Sequence, residues 1–330
     1  MKKLLTALLA MMMIFALVGC SSGNNSQNEE GGNETPAETN TAVSVGVVQL
    51  VQHAALDAAT EGFVQEVKKA FPDADIVVQN AAGDSATCST ICQGFVNDGV
   101  NLIMANATPA LQAAVSATGD IPILGTSVTE YGVALGIDNF DGLVGSNVSG
   151  TSDLAPLDQQ AQMIVDLFPD TKKVGIIFCS NEANSKYQVE VVTKELEAKG
   201  IEVVSKSFTD SNDIAMVCED LCSQIDVLYI PTDNQAASCA ETIANIVLDK
   251  KMPVIAGEEG ICKLCGVATL TIDYFDLGVE TGKMAVKVLN GEAKIEEMPI
   301  QYFPEPVKKY NPEICELLGV TVSDEFIAVE

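Results

Sequence analysis

Short apolar runs alternate along most of this chain with longer segments whose apolar residues recur at helical spacing. Each run ends at polar or glycine residues, and a helical segment follows it. The runs predict strands at residues 44–50, 75–79, 101–105, 121–124, 173–178, 202–207, 227–230, 254–256 and 267–272. The longer segments predict helices at residues 54–71, 85–98, 109–118, 159–168, 185–199, 214–224, 236–250 and 275–290. Such alternation is typical of right-handed βαβ units around mainly parallel sheets.

A polar, glycine-rich stretch at residues 138–153 interrupts the alternation, and we interpret it as a crossover between two lobes. We expect lobe 1 at residues 43–150 and lobe 2 at residues 151–272. Residues 273–330 are expected to return to lobe 1 and to include a C-terminal crossover segment. The fold class is therefore α/β, with two Rossmann-like lobes whose parallel sheets are joined by a hinge. In such folds a ligand lies in the cleft at the carboxyl ends of the strands.

The N-terminus has the pattern of an export signal. Lys2 and Lys3 precede an apolar run at residues 4–18, which is too short for a comfortable transmembrane helix. The run ends in Leu-Val-Gly-Cys20, which resembles the bacterial lipobox. We therefore expect residues 1–19 to be a lipoprotein signal peptide and Cys20 to be lipidated, the alternative being an ordinary secretory signal. Residues 20–42, which lack large apolar side chains after Cys20, are expected to form a disordered tether to the membrane.

The amino-acid composition argues against nucleic-acid binding and catalysis. The net charge is −28 and the chain contains no arginine, which excludes nucleic acid as a partner because phosphate contacts need clustered Lys and Arg. The chain has a single histidine, His53, and we find no combination of nucleophile, base and orienting group, so it is not expected to be an enzyme.

Ten cysteines stand out in a chain expected outside the cytoplasm. Nine remain after Cys20, and an odd number cannot pair completely within one chain. Many of them occupy the apolar positions of predicted helices. Cys262 and Cys265 have the spacing of a metal or redox pair, but the only histidine lies far away in the sequence. We expect structural or locally disulfide-bonded cysteines and no metal site.

Small polar side chains follow almost every predicted strand. In open parallel sheets this edge carries the ligand. The candidate ligand-binding residues are Gln49, His53, Asn80, Thr108, Thr126, Ser127, Asn184, Ser185, Asp233, Asn234 and Glu258. Thr108, Ser185 and Asp233 are also good helix caps, and His53 would also suit an exposed helix start. Their recurrence at the same topological position in both lobes favours a binding role.

Five motifs among these residues resemble one known family. They are Gln49-x-x-x-His53-x-x-Leu56-Asp57, Gln79-Asn80-Ala81, Ala107-Thr108-Pro109-Ala110-x-Gln112-Ala113, Asn181-Glu182-x-Asn184-Ser185 and Pro231-x-Asp233-Asn234. In order and spacing they resemble the ABC-transporter substrate-binding family typified by tryptophan- and tyrosine-type binding proteins. The resemblance implies a type I periplasmic-binding-protein fold with three interlobe crossovers, no cofactor, and a monomer that delivers a small solute to a permease and its ATPase. Residues 128–132 depart from the T-D-P-V that family members often have there, which leaves the exact ligand open.

An amino acid, aromatic or other, is the ligand that this resemblance favours. Its carboxylate would take hydrogen bonds from Thr108, Ser127 or Ser185 and from helix N-termini, and its ammonium would be accepted by Asp233 or Glu258. Candidates for an aromatic wall are Tyr131, Tyr187 and Tyr274. The alternatives are a sugar, a nucleoside or a short peptide in the same fold, or a ligand sensor or metal-handling lipoprotein.

Overall fold

The computed structural model describes residues 43–302 and 306–329. The expected signal peptide, the lipidated Cys20 and the tether at residues 20–42 lie outside the described residues. Residues 42–330 form one compact unit. Within the described part of the chain, every helix is too short or too polar to cross a bilayer.

The described residues contain thirteen strands and twelve α-helices, which alternate over most of the chain. The strands are β1 (Ser44–Gln49), β2 (Asp75–Asn80), β3 (Leu102–Asn106), β4 (Ile123–Val128), β5 (Val148–Ser152), β6 (Lys173–Cys179), β7 (Glu202–Phe208), β8 (Val227–Ile230), β9 (Val254–Ala256), β10 (Ala268–Thr271), β11 (Gln301–Tyr302), β12 (Val307–Tyr310) and β13 (Ile327–Ala328). The helices are α1 (Ala54–Ala70), α2 (Ser85–Asp98), α3 (Thr108–Ala117), α4 (Tyr131–Leu135), α5 (Leu157–Leu167), α6 (Ala183–Ala198), α7 (Ile214–Cys222), α8 (Asn234–Ser238), α9 (Ala240–Asp249), α10 (Glu259–Cys265), α11 (Tyr274–Leu289) and α12 (Pro312–Leu318).

The strands form two sheets, one in each lobe. The lobe 1 sheet has the order β11-β5-β4-β3-β1-β2, and all its pairings are parallel. The lobe 2 sheet has the order β13-β12-β10-β9-β8-β6-β7, with the β10–β12 pairing antiparallel. The chain passes between the sheets after β5, after β10 and between β11 and β12. The expected α/β fold with two Rossmann-like lobes is confirmed, and the three crossovers agree with the type I arrangement.

The sequence pattern misplaced several boundaries. Strand β5 lies inside the stretch interpreted as a crossover, so the expected lobe boundary after residue 150 falls within a strand of the first sheet. Its sequence, V-S-G-T-S, is fully buried but has no apolar run that would mark it as a strand. The helix expected at residues 236–250 is two helices, α8 and α9, which meet at Cys239. In the C-terminal segment, α11 packs on α1 in lobe 1, whereas β12 and β13 extend the lobe 2 sheet.

Two glycines allow α11 to pack closely against α1 of lobe 1. A Cβ atom on Gly278 of α11 would lie 2.0 Å from the carbonyl oxygen of Ala59 in α1. A Cβ atom on Gly62 of α1 would lie 2.2 Å from the carbonyl oxygen of Phe275. Both distances are far below contact, so the helix backbones pack directly against one another where these residues cross.

Replacing Gly278 by alanine is therefore expected to destabilise the fold. The new methyl group meets rigid backbone atoms, and overpacking of this kind costs about 1–3 kcal/mol. The matched control is Gly94→Ala in α2, where a Cβ atom would meet nothing within 4 Å. Alanine at that helical site should stabilise the protein by up to about 1 kcal/mol. Urea unfolding of the chain from Val43 measures both changes, and equal stabilities for the two variants would contradict the packing argument.

Candidate functional site

Three neighbouring strands of lobe 1 end side by side at the cleft. Asn106 of β3 is in register with Thr126 of β4, and the next residue, Ala107, donates its N–H to the Thr126 carbonyl oxygen at 3.0 Å. Beyond β5, Asp153 donates its N–H to the carbonyl oxygen of Val128 at 3.3 Å. Parallel register therefore places three residues at or just beyond these strand ends along one edge of the sheet: Thr108 at the start of α3, Ser127 near the end of β4, and Asp153 just after β5.

The backbone at this edge is strained. Ala107 has a φ angle of 95° and Ser127 a φ angle of 53°, both in the region that favours glycine. Such conformations cost about 1–3 kcal/mol in non-glycine residues and cluster at functional sites. Thr108 was a candidate N-cap, but the N-cap of α3 is Ala107 and Thr108 is the first residue of the helix. Its hydroxyl is thus not used to begin the helix.

Six buried side-chain polar atoms have no hydrogen-bond partner among the described residues. Two are Oδ1 of Asn106, whose amide nitrogen donates to Leu56 and Thr60 of α1, and Oγ1 of Thr269 in lobe 2. The other four belong to the lobe 1 edge and to the start of α6. They are Oγ1 of Thr108, Oγ of Ser127, Oδ1 of Asp153 and Oδ1 of Asn184. Their residues are at most 4% exposed. A buried polar group without a partner costs about 1–3 kcal/mol, so native structures rarely leave several together unless another molecule satisfies them. Three of the four belong to the lobe 1 edge, and Asn184 lies in the first turn of α6 in lobe 2.

Two residues predicted to accept the ligand's ammonium, Asp233 and Glu258, instead accept hydrogen bonds from backbone N–H groups of lobe 2. Asp233 caps α8 by accepting the Ala236 N–H at 2.8 Å, and its other oxygen accepts the Cys179 N–H at 2.6 Å. Glu258 caps α10 by accepting the N–H groups of Gly260 and Ile261 at 2.7 and 2.5 Å. Burial raises the pKa of both carboxyl groups. This geometry gives both residues a capping role, the alternative that was open for Asp233.

Glu182 organises the start of α8; it belongs to one of the five motifs but was not among the candidate ligand-binding residues. Its carboxylate accepts the N–H groups of Asn234 and Gln235 at 3.2 and 2.9 Å and also the Asn234 side-chain amide. The amide nitrogen of Asn184 donates to it at 3.2 Å, which leaves only the Asn184 carbonyl oxygen free. Burial, and then the neighbouring charge of Asp233, raise the pKa of Glu182.

Asp153 is the other acidic residue that the strand pattern missed. Tyr274, at the start of α11, donates its phenol to Oδ2 of Asp153 at 2.9 Å. Burial raises the pKa of Asp153, although the hydrogen bond from Tyr274 opposes the shift. The sequence pattern did not predict β5, so Asp153 was assigned to a crossover rather than to a strand end.

The two lobes are in direct contact across the cleft. Nε2 of His53 in lobe 1 lies 3.3 Å from Oδ1 of Asn234 in lobe 2. The side-chain amide of Gln235 donates to the carbonyl oxygen of Gly83 in lobe 1 at 3.0 Å. Burial lowers the pKa of His53 to about 4, so its imidazole is neutral at neutral pH. His53 and Asn234 thus hold the lobes together in this arrangement.

The remaining candidates form hydrogen bonds within one lobe. Gln49 is held by Thr60 and Asp57 at 2.6 Å each. Asn80 is exposed and accepts the Ala82 N–H at 2.7 Å in a turn. Thr126 belongs to a buried network of threonine hydroxyls that joins β4, β5 and α11. Ser185 is buried beside Asp233 and lowers the pKa of that carboxyl group.

The three tyrosines of the expected aromatic wall lie in different places. Tyr131 is fully buried in the lobe 1 core, where its phenol donates to the carbonyl oxygen of Thr151 at 3.1 Å. Tyr187 is half-buried on α6. Tyr274 is buried against Asp153, so it contacts the cleft through its phenol.

The nine described cysteines are all free thiols, and eight of them are buried. The shortest separation joins the sulfur atoms of Cys218 and Cys222, at 3.9 Å. Burial raises the pKa of Cys265 to about 12, which makes this thiol a poor nucleophile and metal ligand. Within residues 43–302 and 306–329, no group of three or more His, Cys, Asp or Glu side chains is arranged to hold a metal ion. The thiols therefore pack as small apolar groups, and the locally disulfide-bonded alternative does not apply to them.

Comparisons with known proteins agree with this architecture. A family model described as ABC transporter substrate binding protein matches residues 44–329. A tyrosine-binding protein of Clostridioides difficile (strain R20291) is 36% identical over 311 residues, which is 92% of this chain and 88% of the relative.

Two solved structures bear on the arrangement of the lobes. An ABC domain in complex with L-Trp from Streptococcus pneumonia is 32% identical, with a TM-score of 0.82 over 86% of this chain and 97% of that chain. The ligand-free, open structure of a Clostridium difficile substrate binding protein with adhesive properties is 36% identical, with a TM-score of 0.65 over 88% of this chain and 100% of that chain. The lobes of this chain are therefore arranged more like those of the tryptophan complex.

Substrate-binding proteins of this kind are extracytoplasmic, bind small ligands and interact with an ABC permease. They are not enzymes, as expected from the lack of a catalytic set of side chains. The family model matches residues 44–329, and the 36% identity extends over 88% of the tyrosine-binding relative, so the chain belongs to the ABC transporter substrate-binding protein family.

Proposed function

We propose that this protein is a lipid-anchored receptor that captures a zwitterionic amino acid between its lobes and delivers it to an ABC importer. The observation that carries the proposal is the pair of buried hydroxyls without partners, Thr108 and Ser127, on adjacent strand ends. Both are hydrogen-bond donors, and a carboxylate accepts hydrogen bonds from two neighbouring donors in this way.

The start of α3 adds to the attraction for a carboxylate. Thr108 is the first residue of this ten-residue helix, whose N-terminus carries a partial positive charge and free N–H groups. The chain lacks arginine, so neutral donors and the helix dipole replace the bidentate guanidinium that many carboxylate sites use. A binding site of this kind holds the ligand without burying a cationic side chain.

The relatives favour an aromatic amino acid among the possible ligands. One is named for tyrosine binding, and a structural neighbour holds L-Trp. In this chain the half-buried Tyr187 on α6 and the buried Tyr274 beside Asp153 are the tyrosines proposed to meet an aromatic side chain. Edge-to-face or offset contacts between aromatic rings contribute about 0.5–1.5 kcal/mol beyond area burial.

A thermal-shift screen of the chain from Val43 against the twenty amino acids tests the ligand class. At 100 times its dissociation constant, a bound amino acid should stabilise the fold by about 2.7 kcal/mol. Thr108→Val and Ser127→Gly should each weaken binding about tenfold or more, because each removes a hydrogen bond to a charged group. Glycine suits the φ angle of 53° at residue 127, so a loss of affinity there would not come from backbone strain.

The matched control is Thr269→Val in lobe 2, which removes another buried hydroxyl without a partner. Its affinity should equal that of the wild type. If no amino acid raises the melting temperature while sugars or nucleosides do, the amino-acid proposal is wrong and the same fold serves another solute.

Cys20→Ala tests the membrane anchor. The proposal expects wild-type protein in the membrane fraction of a bacterial host and an acylated Cys20 at the mature N-terminus by mass spectrometry. The variant has no thiol to acylate, so it should lose the lipid and leave the anchored pool. Cys239→Ala, which changes another cysteine in the folded part, should stay anchored. A mature wild-type protein that begins at another residue, without lipid, would instead support the ordinary secretory signal.

A further inference from the structure

We propose that Asp153, beside the first crossover between the lobes, accepts the α-ammonium of the ligand and so restricts the site to amine-bearing acids. This inference rests on the proposed function and deepens it. The sequence offered Asp233 and Glu258 for this role, and the relatives' names say nothing about which residue fills it.

The position of Asp153 suits an amino-acid ligand held at Ser127 and Thr108. Asp153 follows β5, whose last residue, Ser152, is in register with Val128, the residue after Ser127. The backbone N–H of Asp153 donates to the Val128 carbonyl oxygen at 3.3 Å. The carboxylate and ammonium groups of an α-amino acid are attached to the same carbon atom. A ligand whose carboxylate meets Ser127 would therefore bring its ammonium close to the neighbouring strand end.

One oxygen of Asp153 is available. Oδ2 accepts the Tyr274 phenol at 2.9 Å, whereas Oδ1 is buried and has no partner among the described residues. Asp153 is 4% exposed, and the groups that act on its pKa are the neutral hydroxyls of Tyr274 and Thr129 and its own backbone. A buried carboxylate without a cationic neighbour is costly, and an ammonium ion with three N–H donors provides the missing charge and hydrogen bond.

The other buried carboxylates are already occupied. Glu182 accepts from the N–H groups of Asn234 and Gln235. Asp233 and Glu258 each cap a helix with both oxygens satisfied. Among the described residues, Asp153 is therefore the one buried acid whose carboxylate retains an oxygen without a partner.

Tyr274 connects this acceptor to lobe 2. The residue lies just after the second crossover, at the start of α11, and its phenol donates to Asp153 beside the first crossover. The Asp153–Tyr274 pair thus joins two of the three chain passages between the lobes. An ammonium on Oδ1 would bind at the point where the lobes turn relative to one another.

The inference is tested by measuring three ligands against the wild type and an Asp153 variant. Both proteins are the chain from Val43, which lies within one compact unit. The probes are L-tyrosine, 3-(4-hydroxyphenyl)propionate, which lacks the ammonium, and tyramine, which lacks the carboxylate. Isothermal titration calorimetry measures each with the wild type and with Asp153→Asn. The asparagine keeps an acceptor for Tyr274 and removes the charge.

Wild-type protein should bind L-tyrosine at least about 30-fold more tightly than the analogue without an ammonium, because truncating one partner of a buried charge pair has an effect of that size or larger. Asp153→Asn should lose at least about 30-fold in affinity for L-tyrosine but bind the analogue within about threefold of the wild type. Asp158→Asn, an exposed acid in the first turn of α5, should match the wild type with every probe.

The outcomes separate the inference from the proposed function. Binding of L-tyrosine by Asp153→Asn as tight as by the wild type overturns the inference and leaves the amino-acid receptor intact. Equal losses for L-tyrosine and the analogue would also overturn it, since they indicate a structural role. If the asparagine variant does not fold, a wild-type preference below threefold for L-tyrosine over the analogue is sufficient to reject it. A wild type that binds no amino acid refutes the proposed function itself.

Discussion

The parallel register of β3, β4 and β5 is the constraint on which the rest of the site depends. Because these strands run side by side in one direction, their carboxyl ends place Thr108, Ser127 and Asp153 at a single edge of the lobe 1 sheet. The strained backbone at Ala107 and Ser127 holds that edge in shape. Helix α6 of lobe 2 packs beside this edge against α3 and α4. The polar atoms without partners therefore lie together because the register of the sheet brings their residues to one edge.

Electrostatics in this cleft differ from those of the surface. The chain carries a net charge of −28, yet its buried carboxylates are mostly neutralised by N–H groups at helix starts rather than by lysines. Burial raises the pKa of Glu182 and Glu258 despite these N–H groups, and it raises the pKa of Asp153 despite the hydrogen bond from Tyr274. A ligand that brings its own positive charge is favoured in such surroundings, whereas a polyanion is opposed by the surface.

Periodicity predicted most of the fold, because β1, β3, β6 and β8 are buried runs of apolar residues and the helices between them have one apolar face. It failed at β5, where serine, glycine and threonine are buried through pairing and hydroxyl contacts that depend on distant residues. The same distinction applies to the residues of the site. Thr108 and Ser127 were found at strand ends. Asp153 was missed along with its strand, and the capping roles of Asp233 and Glu258 depend on local geometry that residue type alone does not determine.

The return of α11 to lobe 1 has a consequence for how the protein is made. Lobe 1 begins with β1 at Ser44, but its helix pair α1–α11 and its edge strand β11 need residues at positions 274–302. The first lobe therefore cannot complete its packing until most of the polypeptide has been synthesised. For an extracytoplasmic protein this delay is useful, since a chain that stays open until its late segments emerge remains suitable for threading through a narrow translocation channel. The glycine contact at Gly62 and Gly278 joins residues far apart in the sequence, so it cannot form before those late segments have emerged.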